Sequence, residues 1–193
     1  MRLKNAFITG LFAMILAGLI VAMDGSAAEL NSPFSAYGSG PVEVRIYSDY
    51  FCPPCRATEP AANPILKDLL KKKAIRLILV DTPFHQHTAL FARYFLYALK
   101  ANSDVDHAFR VRDILFEAST DKSITTPERI EALFKEKWIP FAVFNEKIVF
   151  DAYIGLLKED KINATPTCVI IKNGQKKTFV GEVDIVNALK SLQ

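Results

Sequence analysis

The stretch 50-YFCPPCR-56 decides how the rest of this 193-residue chain is read. Cys52 and Cys55 enclose Pro53 and Pro54, neither of which carries a backbone N–H. A structural disulfide stabilises mainly by closing a long loop in the unfolded chain, and a bridge across two residues closes almost nothing. There is no second C-x-x-C to complete a zinc site, so no metal is expected here. The third cysteine, Cys168, stands in an apolar run and reads as a small buried hydrophobe. Thiol chemistry at the pair itself is what remains.

The flanking segments place the pair. Upstream, VEVRIYS (42–48) alternates Val42, Val44 and Ile46 with Glu43, Arg45 and Tyr47, the pattern of a strand with one apolar face. Downstream, residues 56–73 show helical spacing through Ala57, Ala61, Ile65, Leu69 and Leu70, with Pro60 and Pro64 expected to kink the helix. The cysteines thus fall between a strand and a helix, where free N–H groups and the helix dipole favour negative charge. Cys52 is therefore the expected nucleophile, and Cys55, one turn on, the thiol that resolves a mixed disulfide.

Further out, AIRLILV (74–80) is a second strand with the continuous apolar character of a buried parallel strand. Residues 88–160 contain no convincing strand. Helices are expected over 88–101 and 105–118, then from a capping box of Thr125, Pro127 and Glu128, and again between Phe141 and Lys158. PTCVIIK (166–172), the turn Asn173-Gly174 and QKKTFV (175–180) read as a β-hairpin. A last helix, 183–192, would set Val183, Val186, Leu189 and Leu192 near one face. This order predicts an α/β mixed sheet with helices on its faces and a helical insertion in its middle. The runs around Phe91, Tyr94, Phe95 and Tyr97 read as core. His85 and His87 read as a solvated turn or a local cap, and Tyr50 and Phe51 as either packing or recognition residues.

The first 28 residues stand apart. Arg2 and Lys4 precede an unbroken apolar run of 18 residues, Ala6 to Met23, and the small residues Gly25 to Ala28 follow. This is the layout of a secretory signal peptide, either cleaved or retained as an N-terminal membrane anchor. No cysteine lies near the cleavage point, which excludes a lipoprotein anchor. A periplasmic or otherwise extracytoplasmic location follows. Residues 29–41, rich in Ser, Gly and Pro, read as a linker. With 24 basic and 21 acidic side chains interspersed, the chain lacks the clustered basic footprint of a nucleic-acid binder.

YSDYFCPPCR (47–56), with an Ala-Thr-Pro-Thr segment (164–167) leading a distant strand, resembles the thioredoxin-fold disulfide oxidoreductases. DTPFHQHTALFARYFLYALKA (81–101), DILFEA (113–118) and INATPTCVI (162–170) are similar to the DsbA-like branch, and the resemblance covers residues 42–192. It implies a thioredoxin fold, a central mixed sheet flanked by helices, with a helical insertion between the second and third core strands. The halves would be 42–84 and 162–193, and the insertion 85–161. It implies Cys52 and Cys55 as the catalytic, redox-active disulfide pair. Pro166 would be the family's cis-proline, Thr165 would offer backbone groups to an extended substrate, and Pro60 would be the family's helix-kinking proline. No cofactor is implied. The partners would be protein thiol or disulfide substrates and a membrane redox partner, and the activity that of a disulfide oxidase.

Two departures bear on that activity. Many relatives carry a buried acid six residues before the first cysteine, where this chain has Ile46, leaving water, Asp49 or Glu43 for proton transfer at Cys55. The strongest oxidants have Pro-His between the cysteines, and Pro54 supplies neither an N–H nor an imidazolium, so a less oxidising potential is expected. CPPCRATEP (52–60) is also similar to the TlpA-like exported reductases, which serve cytochrome c or copper-site cysteines. A Cu(I) metallochaperone binding through two soft thiolates is the alternative of a different class.

Overall fold

The computed structural model describes residues 36–193; the signal or anchor segment expected at 1–28 lies outside them. Five strands, β1 (Ala36–Tyr37), β2 (Val42–Ser48), β3 (Ile75–Asp81), β4 (Thr167–Lys172) and β5 (Gln175–Val180), form one sheet in the order β1-β3-β2-β4-β5. β2 and β3 are parallel, with Val42 opposite Ile75 and Ser48 opposite Asp81. β4 runs antiparallel to β2, pairing Ile46 with Cys168, and β5 closes the hairpin on β4. Six helices complete the described chain: α1 (Pro53–Lys71), α2 (Thr88–Ala101), α3 (Val105–Ala118), α4 (Pro127–Glu136), α5 (Lys147–Glu159) and α6 (Glu182–Lys190). This is the expected thioredoxin fold, with α2 to α5 inserted between β3 and β4.

The end of the 29–41 segment is more structured than its composition implies. Ala36 and Tyr37 pair antiparallel with Ile78 and Leu77 of β3. Gly40 then passes so close to β3 that a Cβ would sit 2.2 Å from the Ile75 nitrogen, and its N–H donates to the Ile75 carbonyl at 3.1 Å. A glycine that reads as linker flexibility is needed here for close backbone approach.

The alternation in β2 is real, but its polar face does not meet water. Val44 and Ile46 join the larger core, with Leu77, Leu79, Cys168 and residues of α1, α2, α3 and α6. Tyr47 lies on the other face, in a second cluster with Ile78, Val80, Val169 and, from α5, Val149, Tyr153 and Leu156. Arg45 is only 8 % exposed on this face, where it bonds to Glu43, Glu159 and Asp160. A charged residue in an alternating strand normally marks solvent; here α5 covers it and supplies its counter-charges.

The remaining differences concern helix ends. The α4 N-cap is Thr126 rather than Thr125, with Pro127 at the first helical position. In α6 the buried face is Ile185, Ala188 and Leu189, and Val183 is 71 % exposed. α1 starts at Pro53, three residues before the periodicity begins, because the two prolines fit its donor-free first turn. Beyond α4, Trp138 takes a left-handed φ of 55° and is 88 % exposed.

Candidate active site

Ser48 ends β2, and the chain turns at once into α1. The Cys52 N–H donates to the Asp49 carbonyl at 3.1 Å, and the Phe51 N–H donates to the Asp49 carboxylate at 2.8 Å, an Asx-type turn. Cys52 is the N-cap of α1 with an extended backbone, φ −87° and ψ 113°. Pro53 and Pro54 fill the first two helical positions, so Cys55 carries the first helical N–H, and the Arg56 N–H already bonds to the Cys52 carbonyl at 3.2 Å. The helix start therefore presents Cys52 with fewer donors than an ordinary first turn.

The two thiols sit in different surroundings. Cys52 is 6 % exposed, and its Sγ donates to the Thr165 carbonyl at 3.3 Å. Cys55 is fully enclosed. Burial pushes its thiol well above the usual range; hydrogen bonding to Thr165 and to the Asp49 backbone acts the other way, and nearby Cys52 adds to the rise. The Thr165–Pro166 peptide bond is cis, and the Pro166 carbonyl accepts from the Gly181 N–H at 3.0 Å. The four residues marked out by the sequence thus meet at one end of the sheet. Cys168, two residues beyond Pro166, faces the same core, and burial alone raises its thiol to about 12.

Neither acid offered for proton transfer is free for it. Glu43 lies at the opposite end of β2, held by Arg45 at 2.6 Å and Arg76 at 2.5 Å. Asp49 is fully buried with both oxygens engaged. Besides Phe51, it accepts from the Thr88 hydroxyl at 2.6 Å, the Phe84 N–H at 2.9 Å and the His85 N–H at 3.0 Å, with His85 Nδ1 2.9 Å away. His85 is the exposed turn residue expected, and from that turn its N–H and ring also bond to Asp49. Tyr50 is also settled as core, 0 % exposed between Phe91 and Phe116. Phe51 packs edge-on to Phe91 and against the ring of His87.

Beneath the turn lies a second polar cluster. Arg112 of α3, wholly buried, bonds to Glu59 and Asp81 at 2.8 Å each. Ser48 donates to Glu59 at 3.1 Å, Tyr50 donates to Asp81 at 3.3 Å, and the guanidinium lies over the rings of Tyr50, Phe95 and Phe116. Burial raises the Asp81 carboxyl despite Arg112. Glu59, one turn after Cys55 on the same helix, could have been noticed by its spacing. Nothing in the local pattern marks Arg112 as its partner 53 residues away.

A family model described as Thioredoxin matches residues 37–182. No curated protein matches the chain. A putative protein-disulfide isomerase from Pseudomonas syringae superposes with a TM-score of 0.65 at 15 % identity, covering 84 % of this chain and 99 % of that one. A periplasmic thioredoxin-like protein from Salmonella enterica serovar Typhimurium gives 0.59 at 19 % identity, over 84 % and 89 % of the two chains. Pseudomonas aeruginosa DsbA2 gives 0.54 at 22 % identity, over 83 % and 94 %. At these identities the likeness shows the fold, which is that of the DsbA-like disulfide oxidoreductases and here carries a Cys-x-x-Cys pair.

Proposed function

Since the chain belongs to the thioredoxin family, we propose that it is an extracytoplasmic thiol:disulfide oxidoreductase, acting on polypeptides as an oxidase through Cys52 and Cys55. The observation that carries this reading is the Cys52 sulfur at a helix N-cap, 3.3 Å from the carbonyl before a cis proline. A substrate thiolate attacks Cys52 of the oxidised pair, forming a mixed disulfide, and the Cys55 sulfur leaves and takes up a proton. The second substrate thiol then attacks the substrate sulfur of the mixed disulfide. That releases the oxidised substrate and leaves Cys52 reduced, two electrons having passed to the pair. Thr165 and Pro166 hold the substrate backbone beside Cys52, and a membrane redox partner restores the disulfide. The export pattern at residues 1–28 supports the location.

The test is trapping. Cys55→Ser should accumulate mixed disulfides through Cys52 and Cys52→Ser none; the reverse would overturn the assignment. A reductase is the second reading, favoured by the missing donor at Pro54. The potential of the pair against glutathione separates the two. We expect a value between roughly −270 mV, as in thioredoxin, and roughly −120 mV, as in the strongest oxidant. A value at or below thioredoxin's makes the protein a reductase.

A further inference from the structure

Three helices end in the same way. After α1, α4 and α5 one residue takes a left-handed backbone, Lys73 at φ 54°, Trp138 at φ 55° and Lys161 at φ 54°. The N–H that follows then donates back to a carbonyl in the last turn: Ala74 to Leu69 at 2.9 Å, Ile139 to Phe134 at 2.8 Å and Ile162 to Leu157 at 2.9 Å. This is the Schellman cap, whose left-handed place usually goes to Gly because a Cβ is costly there. After α1 and α5 the place is held by an exposed lysine, whose ammonium is at home in water. After α4 it is held by an indole that is 88 % exposed. Backbone strain and hydrated aromatic surface thus fall on one residue, and the folded chain gains little from either. Strain held at such a place points to a function.

The surroundings say what the indole meets. Trp138 lines a cleft of about 450 Å³ with Phe134, Lys135, Ile139 and Pro140. Cations gather beside it: Lys135, Lys137 and, from α3, Arg110, which donates to the Lys137 carbonyl. Against them stands Glu136, 3.1 Å from the Lys137 ammonium, while Glu131 accepts from the Tyr94 hydroxyl. An exposed indole on apolar ground with a surplus of cations matches a bilayer surface. There Trp settles at headgroup depth, and basic side chains meet anionic lipid. The sequence also carries a route to a bilayer in its apolar run, Ala6 to Met23. A single weak attachment to a membrane is reversible, and a second makes it stable.

We propose that the α4 cap is a membrane contact. Trp138 enters the headgroup layer of an anionic bilayer, with Lys135, Lys137 and Arg110 against the lipid phosphates, and fixes how the protein lies on that surface. This contact goes beyond thiol exchange and does not rest on it.

The test uses the full chain, whose one tryptophan reports the contact directly. The chain is reconstituted into vesicles of equal parts phosphatidylglycerol and phosphatidylcholine, or of phosphatidylcholine alone. With the anionic lipid, emission should move to shorter wavelength and be quenched by brominated acyl chains; with the neutral lipid both effects should be much smaller. Lys135→Glu should lower the docked-to-free ratio about thirtyfold, the scale of two charges near an anionic surface. Trp138→Gly should hold or raise the urea midpoint followed by circular dichroism, since Gly suits the left-handed place. Emission unchanged by either lipid overturns the contact. A shift of equal size in the two lipids, indifferent to Lys135→Glu, overturns the anionic surface as its occupant. A shift that follows protein density rather than lipid charge assigns the cleft to a second copy instead. A large loss of stability in Trp138→Gly makes the indole a structural group and overturns the argument from its cost.

Discussion

The two ends of the sheet are both lined with charge, and they balance it differently. At the far end, Glu43, Glu159 and Asp160 are met by Arg45, Arg76 and Lys176, most of them partly open to water. At the cysteine end, Glu59 and Asp81 share the single guanidinium of Arg112, and Asp49 is satisfied by neutral donors and His85. The far end can lose one cation and re-pair. At the cysteine end both Glu59 and Asp81 depend on Arg112, and their buried carboxylates oppose further negative charge nearby. They lie beneath the helix turn that carries the thiols.

The largest expected effect breaks the comparison if it fails. Arg112→Met strands two buried carboxylates and should cost about 3–5 kcal/mol in urea unfolding. Arg45→Met leaves Arg76 and Lys176 in place and should cost about 1–2 kcal/mol. Equal costs would mean that the two ends do not differ as described.

The pH responses should also have opposite signs. Burial raises the Asp81 carboxyl above its ordinary 3.8. The folded state therefore binds this proton more tightly than the unfolded chain, and stability falls as pH rises from about that value through the folded one. Asp160 is the reverse. Burial opposes ionisation, but bonds from Lys176, Tyr47 and Arg45 hold its carboxyl below 3.8, so its contribution is present above that value and lost on acidification. Urea midpoints between pH 3 and 7 should show Asp160→Asn most costly at neutral pH. Asp81→Asn should be relatively less costly there than in acid. Parallel profiles would remove the distinction.

Redox measurements sharpen the same contrast. Glu59→Gln removes one buried carboxylate on α1, a turn after Cys55, and should raise the potential of the pair by about 15–30 mV, whereas Glu159→Gln at the far end should leave it unchanged. Pro54→His, which adds an N–H and a cationic side chain, should shift it in the same direction. The smallest effect is expected at Cys168, uncharged and buried at the cysteine end. Cys168→Ala should cost about 1 kcal/mol and leave exchange within a few-fold. A collapse of exchange with the fold intact would give this thiol a redox role.

Much of this was legible in the chain because the deciding signals are local. The bounds of β2 and β5 follow from alternation and from Asn173-Gly174, and the meeting of Cys52 with Thr165–Pro166 follows from the family resemblance. What local pattern could not carry was partnership. Alternation placed Arg45 on the strand's second face but could not show that α5, more than a hundred residues on, covers it. His85 read as a turn and is one, but its bonds to Asp49, 36 residues earlier, have no local signal. Gly40 looked like slack in a linker because the backbone it touches belongs to another strand. Each concerns a residue whose role is set by long-range packing.

Trp138, the only tryptophan in the chain, has an optical consequence. At 88 % exposure its indole is already hydrated in the native protein, so its emission should sit near that of the unfolded chain and barely respond to opening of the Cys52–Cys55 bond. A fluorescent reporter of the thiol state has to be introduced, and Phe51, packed on Phe91 and His87 next to Cys52, is the position from which an indole would register it.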